Sequence, residues 1–88
     1  MIKTFDMNLF LSGVLKGSKS TQQRHQRQAR KMQEAIQQRW RRDNPWSWKQ
    51  KHLRWFLIQH LKNHSKSSRY YYQLTAKLIC MRLAIKLQ

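Results

Sequence analysis

The chain has 88 residues, and 19 Lys and Arg stand against three acidic side chains, Asp6, Glu34 and Asp43, for a formal net charge of +16. A chain this short forms at most one small domain and buries only about 60% of its unfolded surface, which argues against a deep catalytic cleft. Like charge at this density opposes compaction and calls for a polyanionic partner; nucleic acid is the first candidate, ahead of an anionic membrane surface or an acidic protein.

In residues 1–16, Ile2, Phe5 and Leu9 fall on one helical line and Met7, Phe10, Leu11, Val14 and Leu15 on another, a pattern that suits a short helix. Asp6, Asn8 and Ser12 interrupt the apolar character and no small-residue cleavage site follows, so the segment does not read as a signal peptide. Gly13 and the run Gly17-Ser18-Lys19-Ser20-Thr21 predict a flexible joint over 17–21. The opening 1–16 is therefore expected as a separately mobile apolar arm, and 22–88 as a basic helical domain.

From Thr21 to Asp43 the sequence is rich in Gln and Arg and holds neither Gly nor Pro, which predicts a helix of about six turns. Ala29, Met32, Ile36 and Trp40 make an oily stripe. Arg24, Arg27, Arg30, Lys31, Arg41 and Arg42 fall within about 120° on the opposite side. Exposed faces ordinarily mix charge signs, and Glu34 is the one acid near six cations, so this face is a candidate polyanion contact.

Pro45 breaks the chain at Asn44, and Ser47 with Gln50 three residues on reads as a capping box for a central helix. Leu53, Phe56, Leu57, His60 and Leu61 form its core stripe. Trp48, Trp55 and Ile58 form a second apolar line that calls for another partner, either the arm, a second copy or a larger protein. Ser67 or Ser68 caps a third helix running to about Leu87, with a main stripe of Tyr70, Tyr71, Leu74, Leu78, Met81 and Ile85 and a second line of Tyr72, Ala76, Ile79 and Leu83. The predicted fold class is all-α, a bundle of three helices plus the N-terminal arm or short helix.

The single Cys80 rules out an internal disulfide and favours a reducing compartment, the cytoplasm or nucleoid. His60 and His64 lie one turn apart, but two ligands do not make a zinc site, so neither metal nor cofactor is expected. His60 is expected half-buried on the core stripe and His64 at a fraying helix end. No apolar run approaches the roughly 20 residues that span a bilayer, so no stable membrane insertion is expected. The scattered carboxylates form no acid/base pair, there is no Gly-rich phosphate loop, and Tyr70, Tyr71 and Tyr72 point about 100° apart on a helix. The expectation is a protein without enzymatic activity.

Binding chemistry is better supplied. Nine Arg beside ten Lys provide bidentate forks and point charges for phosphate, and Lys49, Lys51 and Arg54 interleave with Trp46, Trp48 and Trp55, which can pack in a core or stack unpaired bases. From Trp48 onward the order Leu53-Arg54-Trp55-Phe56-Leu57, Leu61, Ser67-Ser68-Arg69, Tyr70-Tyr71-Tyr72, Leu74, Leu78 and Leu83 resembles the SAM-like core-binding domain of tyrosine recombinases of the phage-integrase type, over residues 48–87. The resemblance implies half of a small helical bundle that clasps duplex DNA, with Arg69 and Lys77 near the phosphates. It also implies a stand-alone clasp from a mobile genetic element, without that family's catalytic domain. The expected function is an accessory or regulatory protein binding double-stranded DNA. An RNA-binding ribonucleoprotein subunit and a cationic membrane-surface peptide are the alternatives.

Overall fold

The computed structural model describes residues 5–85, and among these every regular element is helical. The longest, α2 (Lys19–Trp40), begins where Ser18 Oγ accepts the Thr21 amide at 3.2 Å and ends where Arg41 turns into the left-handed region at φ 57°. Its 22 residues rise about 33 Å, equal to the longest extent of the molecule, 33 Å. The helix thus starts inside the predicted joint of 17–21. It also stops three residues before Asp43, because Arg41 leaves helical geometry well ahead of Pro45.

The opening segment is not a separate arm. Asp6 caps α1 (Met7–Leu11) through its carboxylate, which accepts the Leu9 amide at 3.1 Å, and Met7, Phe10 and Leu11 are buried against α2 and α4. Buried Gln33 fastens this entry: its amide Nε2 donates to the carbonyls of Phe5 and Asp43, both at 2.9 Å, while the Asp43 carboxylate accepts the Phe5 amide. With that burial and those hydrogen bonds, Gly13 and Gly17 make a bend rather than a hinge. Ile2 lies outside the described residues.

After α2, Asn44 Oδ1 accepts the Trp46 amide to open a 3-10 turn, Pro45–Ser47. The predicted cap at Ser47 moves two residues on. Ser47 Oγ instead donates back to the Asn44 carbonyl, and α3 (Gln50–Trp55) starts after Lys49, whose amide donates to His52 Nδ1 at 2.8 Å. A histidine thus takes the place of Gln or Glu at the third helical position. From Phe56 to His60 the helix widens into a π turn, with the Leu61 amide reaching the Phe56 carbonyl. The extra residue explains why the predicted stripe splits. Phe56 and Leu61, five apart, are both buried, Leu57 is half-buried and His60 is turned out to solvent.

α4 (Lys66–Leu83) is capped by Ser65, whose Oγ accepts the Ser68 amide, so the cap lies two or three residues before the Ser67 or Ser68 expected. It ends at Ala84, φ 59°, short of Leu87; Lys86 and Leu87 lie outside the described residues. Its inner face is rotated from the predicted main stripe. Tyr72, Thr75, Ala76, Ile79 and Cys80 are buried, Leu78 and Ile85 of the main stripe pack half-buried against the core, and Tyr70, Tyr71 and Met81 of that stripe are 56%, 37% and 60% exposed. α4 packs against α2 as well as α1 and the two turns, and buried Thr75 is tied across the seam with α2. Its single hydroxyl proton is offered to Gln28 Oε1 at 2.8 Å and to the Tyr71 carbonyl at 3.3 Å, and with the proton on either of these, buried His25 donates from Nδ1 to Thr75 Oγ1 at 2.7 Å. Burial pushes the Cys80 thiol up from its ordinary range, consistent with a small packing residue.

Trp48 also belongs inside: it is 4% exposed and its indole N–H donates to the Arg42 carbonyl. Trp55 meets Trp40 edge to face at 5.0 Å, so of the second line only Ile58 is left to solvent. The surplus expected for a partner at Trp48 and Trp55 is absorbed within the chain, where Trp40 of α2 covers Trp55 and Trp48 is buried beside the Arg42 carbonyl. No described helix is long and apolar enough to cross a membrane.

His25 and His52 make this core acid-sensitive. Burial, and then the charges of Lys51, Arg42 and Lys49, lower the pKa of His52 below its ordinary 6.5; burial and Arg24 do the same to His25. Below 6.5 the unfolded chain therefore binds more protons than the folded one, and stability falls with pH. Protonated Nδ1 of His52 would also face the Lys49 amide donor-to-donor. The melting temperature should hold down to about pH 6.5 and then decline; in His52→Gln, whose carboxamide oxygen can still accept that amide, the decline should shrink. An unchanged decline would assign the effect to His25.

Candidate nucleic-acid interface

The inward faces of Ala29, Met32 and Ile36 fix which residues α2 shows to solvent: Arg27, Arg30, Lys31, Glu34, Gln37 and Gln38 are all exposed. Among the six cations expected on one face, Arg27 and Lys31 stand free on it. Arg30 donates from Nη1 to Asn8 Oδ1 at 3.2 Å, joining α2 to α1. Arg24 lies half-buried with its guanidinium 4.3 Å from the centre of the Tyr71 ring, and its Nε is buried without a protein partner. Arg41 and Arg42 leave the face altogether, because the helix ends at Trp40; both are exposed on the turn that follows.

That turn gathers a second basic patch. Arg42, Lys49 and Lys51 lie close enough to His52 to bear on its proton affinity, and Arg39 sits over Trp40 at 5.3 Å. All four cations are exposed. Two cation-rich areas, Arg27 with Lys31 and Arg39 with Arg42, Lys49 and Lys51, thus lie along the one 22-residue helix and its exit turn. Arg54 is exposed on α3. Arg69 lies elsewhere, beside Lys66, Tyr70 and Ile58, and Lys77 borders Lys16, Leu74 and Met81. The predicted set therefore divides among several faces rather than forming one.

No described Lys or Arg is ion-paired with a carboxylate, since Asp6 and Asp43 accept backbone amides and Glu34 has no partner among the described residues. The base-stacking role considered for three tryptophans does not suit Trp48, which is buried. Trp46, 52% exposed, is held edge-on by Phe10 at 5.2 Å and covered by Arg82 at 5.0 Å.

The sequence pattern did not single out a groove of about 380 Å³ between α2, the π turn and α4. Lys31, Glu34 and Gln38 form one wall, Phe56, His60 and His64 another, and Ser68 and Tyr72 close the side. The rings form a ladder. Phe56 and His60 stack at 4.9 Å and 17°, His60 and His64 lie 6.5 Å and 30° apart, and His64 meets Tyr72 edge-on at 6.4 Å. Burial pushes the Tyr72 phenol up, with Arg27 opposing. The signal was present in the spacing 56-60-64, but His60 read as a core residue because the π turn was not foreseen. Among the described residues no three His, Cys, Asp or Glu converge as metal ligands.

No protein-family model, curated protein or solved structure matches this chain significantly.

Proposed function

We propose that this protein is a non-enzymatic nucleic-acid-binding factor that holds double-stranded DNA along α2 and its exit turn, in an accessory or regulatory role in the cytoplasm or on the nucleoid. The observation that carries it is uncompensated charge: Arg27, Lys31, Arg39, Arg42, Lys49 and Lys51 are exposed with no carboxylate partner among the described residues. Six such cations offer phosphate positions more contacts than a solvated surface needs, and arginine forks among them can grip phosphate bidentately. The rise of the 22-residue α2, about 33 Å, matches about one turn of duplex, roughly 34 Å. The likeness of residues 48–87 to a recombinase core-binding domain favours DNA and offers a rival face around Arg69 and Lys77.

Changing Arg27, Arg42 and Lys51 together to Gln should weaken duplex binding and lower the slope of log affinity against log salt by about three, near one per phosphate contact. Helical content should persist by circular dichroism, because all three side chains are exposed. If Arg69→Gln with Lys77→Gln carries the loss instead, the rival face holds the duplex. Structured RNA is the second reading, favoured by the exposed imidazoles of His60 and His64 in an open groove, where unstacked bases can lie. Competition between duplex DNA and a structured RNA of equal length separates the two.

A further inference from the structure

Among the described residues, one carboxylate side chain without a structural partner lines an aromatic groove. Asp6 caps α1 and Asp43 holds the Phe5 amide, but Glu34, in a chain with 19 cations, lines the 380 Å³ groove with no ion pair or hydrogen bond among the described residues. Polyanion binding alone gives no use for it, since a carboxylate repels phosphate. A base edge that donates hydrogen bonds does give one.

We propose that this groove takes one unpaired guanine from bound nucleic acid, its ring lying against His60 and His64 and its Watson–Crick edge read by Glu34. The proposal rests on the nucleic-acid reading above. The groove volume lies in the range of small-molecule sites, about 300–1,000 Å³, and so accepts a bicyclic base. His60 and His64 are exposed, with planes only 30° apart, over a floor of buried Phe56 and Tyr72. Such rings are platforms for a splayed-out base.

The polar wall selects among bases. Guanine presents N1–H and the N2 amino group side by side, and both oxygens of Glu34 can accept them as a pair. Its O6 accepts, and Lys31, one turn before Glu34 on α2 and lining the same groove, donates there. Adenine would set its N1 lone pair against the carboxylate, and cytosine its N3. Thymine and uracil flank their one N–H with two carbonyl oxygens. Arg27, exposed next to this wall and near enough to Tyr72 to act on its phenol, is placed for the flanking phosphate.

The test uses the full chain and a set of DNA hairpins identical except for a single bulged nucleotide, G, A, C, T or abasic, together with the fully paired hairpin, read by fluorescence anisotropy. The guanine bulge should bind about tenfold or more tighter than the abasic one, within the worth of a stacked base, and tighter than the other three. Glu34→Gln should erase the preference for guanine while binding to the paired hairpin is kept or improved. His64→Ala, an exposed site, should weaken every bulged base and leave the paired hairpin unchanged. Equal affinity for guanine and abasic bulges, or a guanine preference that survives Glu34→Gln, overturns the proposal while leaving duplex binding in place. Failure of every hairpin to bind overturns the nucleic-acid reading and this proposal together.

Discussion

Between 50 and 200 mM salt, affinity for a short DNA duplex should fall about a thousandfold. Six exposed cations without carboxylate partners among the described residues, Arg27, Lys31, Arg39, Arg42, Lys49 and Lys51, can each neutralise one phosphate. Release of about 0.9 counterion per contact then gives a log–log slope near −5, and a fourfold rise in salt becomes a factor of about 1,000. Surface charges are otherwise screened beyond about 14 Å at 50 mM and about 7 Å at 200 mM, so contributions from Lys77 and Arg69 on other faces should be small and should fade as salt rises. Titrations at four or five salt concentrations measure the slope directly. A loss below tenfold over this range would mean that fewer than two contacts are ionic, and the electrostatic reading would fail.

Leu11→Ala and Phe56→Ala should each cost a large part of the protein's stability, about 2–5 and 3–5 kcal/mol respectively. Both side chains are essentially inaccessible, at 0% and 1% exposure, and they lie on different elements of one core. An 88-residue domain has only about 4–13 kcal/mol in total. Removing residues 1–16 should be worse than either, because it takes away Met7, Phe10 and Leu11 together, along with the Phe5 groups that hold Gln33 and Asp43 and the Phe10 carbonyl that accepts Arg82 Nε. That truncated chain should not melt cooperatively. Leu9→Ala and Ile58→Ala, at 70% and 57% exposure, should stay within about 0.5 kcal/mol of the parent. Urea melts of the set give the comparison, and a truncated chain that melts like the full one would return the opening segment to the status of a loose arm.

The sequence by itself determined the all-α class, the long Gln/Arg helix with Ala29, Met32 and Ile36 inward, the break near Pro45 and the excess of cations over acids. Each of these follows from local chemistry: the lack of Gly and Pro in α2, 3.6-residue periodicity, proline's backbone restriction and a count of charges. Only the tertiary structure decided which residues of the two apolar stripes on α4 would be fully buried. Bulk favours the tyrosine stripe, but the small Thr75, Ala76 and Cys80 took the inner face, with Thr75 bonded to His25 and Gln28 of α2, and Tyr70, Tyr71 and Met81 stayed outside. The same holds for the opening segment, whose Gly and Ser residues permit mobility but whose Met7, Phe10 and Leu11 find a cavity to fill. The candidate site was the least legible part. A single π turn moved His60 from the core stripe to the groove, and Glu34 of α2 lines the same groove, a long-range relation no residue's immediate neighbours encode.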